Sequence, residues 1–201
     1  MDREELLRSL ATRIRDERVL EAVAAVPREL FVKPGMEPAA YNDAPLRIGL
    51  GQTISQPTVV ARMAELLELR PTDRVLDVGT GSGYHAAVLS HLADHVWGIE
   101  LEEQLALRAA RSLTRAGIEN VTVLFGDGNL GLPEHAPYDA INIAATATGQ
   151  VPAALEQQLA LGGRLIAPVA DELGERLILV RRHEGGFERE ALEPVRFVPL
   201  R

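Results

Sequence analysis

The residue types best suited to chemistry lie in one stretch, Arg74-Val75-Leu76-Asp77-Val78-Gly79-Thr80-Gly81-Ser82-Gly83-Tyr84. An apolar-rich run, Arg74 to Val78, enters three glycines at alternate positions, and a helix-like stretch, His85 to Leu92, comes next. Strand, glycine turn and helix in that order present backbone N–H groups at a helix N-terminus to a cofactor. A Cβ there would block both the sharp turn and the close approach of a ligand. A second apolar run, His95 to Ile99, ends in Glu100, 21 positions after Gly79. An acid at the tip of the second strand, roughly 20 residues on, is placed to accept hydrogen bonds from ribose hydroxyls. Gly126-Asp127-Gly128 closes the next strand. Its carboxylate or N–H groups could read an adenine edge, although Gly-Asp-Gly is also an ordinary turn composition.

The spacing is Gly79-x-Gly81-x-Gly83, with Tyr84 where a dinucleotide fingerprint has its last glycine. That disfavours a nicotinamide cofactor and suits S-adenosylmethionine (SAM), which has no pyrophosphate to seat. No G-x-x-x-x-G-K-[ST] loop or G-x-S-x-G elbow is present. The chain has no cysteine, and His85, His91, His95, His135 and His183 do not fall at metal-ligand spacing, so no metal site is expected. A net charge of −8 disfavours nucleic-acid and anionic-membrane partners, which need a basic face. Met1-Asp2-Arg3-Glu4-Glu5 is charged and no apolar run approaches membrane-span length, so a cytoplasmic protein is expected.

The elements that must hold these residues can be read from periodicity. Asp2–Arg15, Glu17–Ala25 and Pro57–Leu69 read as helices, the last capped by Ser55 or Gln56. Later helices are expected over Glu102–Ala116 and Pro152–Leu161, and strands over Val121–Phe125, Tyr138–Ala144, Arg164–Val169, Arg176–Arg182 and Glu190–Val198. The last two strands join through His183–Gly186 as a hairpin. Repeated βα units imply an α/β fold: one doubly wound, mostly parallel sheet with helices on both faces and an antiparallel strand at one edge. The chain is expected to be a single domain, with residues 1–70 as an N-terminal helical and covering region and 71–201 as the cofactor-binding core. Residues 27–57 show no clear period, and an irregular stretch that long inside a domain is more often functional than idle.

That irregular stretch carries a specific signal. With Gly51-Gln52-Thr53-Ile54-Ser55-Gln56-Pro57 ahead of the glycine turn, the sequence resembles the protein-L-isoaspartate (D-aspartate) O-methyltransferases. Val26-Pro27-Arg28-Glu29, Gly126-Asp127-Gly128, Tyr138-Asp139-Ala140-Ile141, Gly162 to Val169 and Val195 to Leu200 occur in the family's order, so the resemblance covers nearly the whole chain. It implies a seven-stranded SAM-dependent fold. Gly79, Gly81 and Gly83 would line the cofactor's methionine end, and Asp77, Thr80 and Ser82 of the same motif would also be cofactor-binding. Glu100 with Leu101 would serve its ribose, and Asp127 with Gly128 its adenine. Thr53, Ile54 and Ser55 would face cofactor and substrate, with Ser55 catalytic, and Val198, Pro199 and Leu200 would bind the peptide. The implied partners are damaged proteins or peptides containing isoaspartate, met by a monomer. Thr58 stands where relatives often carry histidine or tyrosine, Ala144–Thr148 replaces a proline-rich loop, and many relatives continue beyond Arg201; these departures bear on substrate affinity and closure.

Such a reaction asks little of the side chains. The nucleophile is a carboxylate with an ordinary pKa near 4, already ionised at neutral pH. The protein must align sulfur, methyl and oxygen, which can be worth ~7–11 kcal/mol. A SAM methyltransferase of a small metabolite or RNA, and a SAM-binding protein without this activity, remain the alternatives.

Overall fold

The computed structural model describes residues 1–201, and its centre is β3 (Arg74–Val78), the strand that leads into the glycine turn. Before it come α1 (Arg3–Leu10), α2 (Glu17–Ala25), a small hairpin of β1 (Leu46–Gly49) and β2 (Gln52–Ile54), and α3 (Pro57–Leu66). After it come α4 (Tyr84–Ser90), β4 (His95–Glu100), α5 (Glu103–Arg115), β5 (Val121–Phe125), β6 (Tyr138–Ile143), the two-residue β7 (Ala147–Thr148), α6 (Ala153–Gln157), β8 (Leu159–Asp171), β9 (Gly174–His183) and β10 (Gly186–Pro194). The strands run β10-β9-β8-β6-β3-β4-β5, with β7 beside β8. β5, β4, β3, β6 and β8 are parallel, whereas β8–β9 and β9–β10 are antiparallel. Seven strands on the main path match the expected count. At that edge β8 turns straight back through Glu172-Leu173, so β9 is the one strand that runs against the rest, and β10 turns again to run with β8.

β3 and its neighbour β6 are buried along nearly their whole length, as strands covered by helices on each side must be. One buried cluster joins α1, α2 and α3 to α4 and the sheet, and a second fills the face under β6, α6 and β8. The covering region is tied to the glycine motif by Arg28. Its side chain is fully buried, its Nε donates to Ala40 O at 2.7 Å, and its guanidinium lies 4.6 Å from the centre of the Tyr84 ring.

Several boundaries differ from the sequence expectation; α3, for one, ends at Leu66 rather than Leu69. α1 ends at Leu10 after an N-terminal capping box of Asp2 and Glu5. The expected helix over Pro152–Leu161 stops at Gln157, and Leu159 already pairs with Tyr138 as strand. A bulge at Gly162-Gly163 then resets the register so that Arg164 faces Ala140. The last strand runs Gly186–Pro194 instead of Glu190–Val198, since Gly186 pairs directly with His183 and β10 ends at Pro194. Beyond Pro194 the chain leaves the sheet: Phe197 N–H donates to Glu175 Oε1 at 2.6 Å, and Thr146 N–H and Leu200 N–H form a short parallel ladder with Val198 O and Thr146 O.

Candidate active site

The carboxyl ends of β3, β4 and β6 open onto a cleft lined by Gln52, Thr53, Gly79, Gly81, Ile99, Glu100, Leu101, Gly128, Ala144, Ala145 and the segment Val198–Arg201. Counted out to its mouth it holds about 510 Å³. Ligands of open α/β sheets bind at this end of the strands. Glu100 and Arg201 are the charged side chains in the lining.

Glu100 is 6% exposed and organises the cleft. Its Oε2 accepts from Gly81 N–H at 2.7 Å and its Oε1 from Glu102 N–H at 2.9 Å. A carboxylate has roughly four acceptor sites, so each oxygen keeps capacity for a hydroxyl donor. Gly79 and Gly81 have φ of +77° and +57°, a region L side chains rarely adopt. The turn's N–H groups do not await a ligand: Gly79 and Thr80 donate to Ile99 O, Gly81 to Glu100, and Gly83 to Thr80 O. The turn therefore offers a ligand close approach rather than the N–H donors expected of it.

The other motif residues divide by role. Thr80 is buried, its hydroxyl donating to Asp77 O at 3.0 Å. Gly83 packs on α5, where an added Cβ would lie 3.2 Å from Ala109 Cβ, and Ser82 opens onto a different groove. Gly128 lines the cleft, and a Cβ on it would come within 2.6 Å of Val78 Cγ1. Asp127 is exposed outside the lining and accepts from Asn129 N–H and Nδ2 at 2.9 and 3.0 Å.

Beneath the turn lies a buried polar trio. Asn142 Nδ2 donates to Asp77 Oδ1 at 2.7 Å and lies 3.2 Å from His85 Nδ1. Burial pushes His85 down to about 3, so its ring is neutral and Nδ1 can accept. Burial pushes Asp77 up to about 6, against the Asn142 hydrogen bond. In the unfolded chain such an acid titrates near 3.9. Between about pH 4 and 6 the folded state thus keeps a proton that the unfolded state has lost, and stability falls as pH rises through that window. The stability difference between the parent and Asp77→Asn, followed by urea unfolding, is expected to change over this range and be flat above it. A difference independent of pH would remove Asp77 as the cause.

A second groove adjoins the cleft, lined by Pro45, Thr53, Ser55, Gln56, Val59 and Pro194–Phe197. Thr53 lines both. Ser55 is half-buried in the groove, and its hydroxyl makes no hydrogen bond within the protein. Ile54 turns inward at 3% exposure and is a core residue. The expectation that Thr53, Ile54 and Ser55 all face cofactor and substrate narrows to Thr53 and Ser55. Val198, Pro199 and Leu200 line the cleft, while Val195, Arg196 and Phe197 just before them line the groove.

Ser55 is held by the β1–β2 hairpin before it and α3 after it. Neither Ser55 nor Gln56 caps α3 by a side-chain hydrogen bond. Asp43 does so from outside, accepting from Thr58 N–H at 2.9 Å and Thr58 Oγ1 at 2.7 Å. Burial alone would raise the Asp43 carboxyl; the Thr58 bonds outweigh it and hold it below the usual range. Thr58 is therefore a structural partner of Asp43 and lines neither cavity. Asp43→Ala is expected to cost ~1–2 kcal/mol in chemical denaturation, as loss of a helix cap does. A change below about 0.3 kcal/mol would show that α3 does not depend on this cap.

Gln52, Ile99, Ala144 and Ala145 in the cleft, and Gln56 and Val59 in the groove, had no chemical signature in the sequence. The residues fit SAM as cofactor: a nearly buried acid with spare acceptor capacity, a positive-φ glycine turn and small side chains at Ala144 and Ala145.

Comparison with known proteins agrees. Residues 1–201 match the family model described as Protein-L-isoaspartate(D-aspartate) O-methyltransferase (PCMT). Protein-L-isoaspartate O-methyltransferase 2 of Pelobacter propionicus is 54% identical over 189 residues, covering 93% of this chain and 84% of that protein. The Protein-L-isoaspartate O-methyltransferase of a Roseiflexus species is 51% identical over 187 residues, covering 93% and 85%. A solved protein-L-isoaspartate O-methyltransferase superposes with a TM-score of 0.90 at 31% identity; 98% of this chain is covered, and this chain spans 65% of that one. A Plasmodium falciparum crystal structure, described as a beta-aspartate methyltransferase (PCMT) in complex with S-adenosyl-L-homocysteine (SAH), has a TM-score of 0.86 at 26% identity over 100% of this chain and 99% of that one. On both comparisons, the chain is a member of the protein-L-isoaspartate (D-aspartate) O-methyltransferase family.

Proposed function

We infer that this chain transfers a methyl group from SAM to the free carboxylate of an L-isoaspartyl or D-aspartyl residue in a damaged protein or peptide, leaving SAH. The observation that carries the assignment of roles is that Thr53 lines both cleft and groove, with the unpaired Ser55 hydroxyl two residues on in the groove. A donor in one cavity and an acceptor in the other meet across that side chain.

Bound in the cleft, SAM supplies an activated methyl group on a sulfonium. Glu100 holds the ribose diol while keeping Gly81 and Glu102 in place. Gly79 and Gly81 admit the methionine end, and Gly128, Ala144 and Ala145 leave room for the rest. Val198–Arg201 forms the wall that limits the cleft, anchored by Arg201 on Glu102 at 2.6 Å and by Asn129 on Arg201 O at 2.9 Å. Ser55 donates a neutral hydrogen bond to the substrate carboxylate and fixes which oxygen faces the methyl. A lysine in that place would bind the carboxylate more tightly and blunt its nucleophilicity. Val59, Val195 and Phe197 give the groove an apolar wall for the peptide backbone.

The product explains the purpose. The methoxy group of a methyl ester leaves more readily than the oxygen of a carboxylate, so the following backbone nitrogen attacks the ester carbonyl, closes a succinimide and, giving up its proton, expels methanol. Water opens that ring and returns part of the material to normal aspartate, without the enzyme. The same reading takes residues 1–201 as one domain, a monomer acting in the cytoplasm with no nucleic-acid or membrane partner; the net charge of −8 supports the last point. No helix is long and apolar enough to cross a membrane. A crystal structure with SAH and an isoaspartyl peptide tests the placement. The ribose is expected on Glu100 and the isoaspartyl carboxylate on Ser55; SAH in any other cavity would overturn the assignment.

A further inference from the structure

On the far side of the β1–β2 hairpin lies a groove of about 980 Å³, counted out to its mouth, between α5 and the turn that contains Phe31. Lys33, Arg108, Arg111 and Arg115 line it, and none of the four is in an ion pair. The chain's net charge is −8 and Lys33 is its single lysine, yet four cations gather in this one groove. Two of them converge. Lys33 Nζ and Arg108 Nη2 lie 3.2 and 3.6 Å from the point a Gly49 Cβ would occupy, which puts them within about 7 Å of each other. Like charges held that close without a counter-ion favour an anion between them. Glu29 and Glu37 also line the groove, so four cations face two carboxylates and the lining keeps an excess of positive charge; Glu29 also accepts from the Tyr41 hydroxyl.

The shape narrows the anion. Arg108, Arg111 and Arg115 sit at i, i+3 and i+7 on one face of α5, a row of roughly 10 Å. An extended chain places alternate side chains ~7 Å apart and every fourth ~13 Å apart, so acidic residues on one face of such a segment can meet the row. Leu50 and Leu107, exposed beside Lys33 and Arg108, add apolar contact for its backbone. Ser82 of the glycine turn and Ile48 of β1 line the same groove, so it backs directly onto the catalytic elements. We propose that this groove docks an extended acidic segment of the protein substrate, apart from the pocket that takes the isoaspartyl residue. The proposal rests on the function inferred above, and adds that damaged sites tethered to acidic stretches are captured preferentially.

The test compares isoaspartyl peptides carrying, beyond a flexible Gly/Ser spacer, an Asp/Glu-rich tail or a Gln/Ser tail of equal length. With the parent protein at low salt, the acidic tail is expected to lower KM five- to tenfold at unchanged kcat. In Arg108→Gln/Arg111→Gln/Arg115→Gln the advantage is expected to vanish, and 0.5 M salt is expected to abolish it in the parent. Lys33→Gln, which leaves α5 intact, is expected to remove part of it. Tail-less peptide should show the same KM and kcat throughout, so loss of docking is distinct from loss of the reaction. An acidic tail without advantage, or an advantage that survives in the triple variant, overturns the proposal. Inorganic pyrophosphate binding at these arginines while the tail leaves KM unchanged would make this a small-anion site and overturn it too.

Discussion

Glu100→Ala is expected to weaken SAH binding by about a hundredfold or more. The side chain is nearly buried and already accepts from Gly81 and Glu102 N–H groups, so it cannot swing away from the cleft. Hydrogen bonds to a charged partner contribute ~1.5–3 kcal/mol each, and a ribose diol makes two. Alanine removes both and also leaves two backbone donors of the cleft without their acceptor. Glu100→Gln keeps an acceptor at one position and is expected to fall between the parent and the alanine variant. Isothermal titration with SAH reads the effect, and thermal unfolding without ligand separates it from a general loss of structure. A loss below about fivefold would mean that the ribose lies elsewhere.

Ser55→Ala is expected to lower kcat by one to two orders of magnitude while SAH affinity stays within about twofold. The separation is the important part. Ser55 lies in the groove and not in the cleft, so its removal should leave the donor where it was and disorder the acceptor. Misplacing a reacting group by about 1 Å can cost ~100-fold, with no change in the intrinsic reactivity of carboxylate or sulfonium. Single-turnover methyl transfer alongside SAH titration measures both. Unchanged turnover would take the carboxylate away from Ser55; a parallel fall in SAH affinity would place the serine in the donor site.

The glycine turn, Glu100 and the parallel core were legible because strand, turn and helix each impose a local pattern. Beyond them, the sequence shows types and spacing but not direction. Gly83, Ser82 and Ile54 belong to the right motifs, yet one packs on α5, one opens onto the basic groove and one is buried. Asp127 sits in a suggestive Gly-Asp-Gly but bonds to Asn129. The β1–β2 hairpin stayed hidden because its strands are four and three residues long, too short for an alternation to register, although Gly49-Leu50-Gly51 marked its turn. Long-range caps were equally invisible. Asp43 closes the start of α3, and Glu65 Oε1 accepts from Arg15 and Asp16 N–H groups at the start of α2, across about 50 positions of chain. Leu155 and Leu159 are four apart, as on a helix face, and only the bulge at Gly162-Gly163 shows why the second begins a strand.

The central claim is that donor and acceptor are brought into line across Thr53, so that a carboxylate on a misjoined backbone takes the methyl group without a general base. The most direct measurement offers methyl-labelled SAM with two peptides that differ only in isoaspartyl versus aspartyl linkage. Base-labile label on the isoaspartyl peptide alone is the predicted result. Equal label on both peptides, or none on either while SAH still binds the cleft, would contradict it.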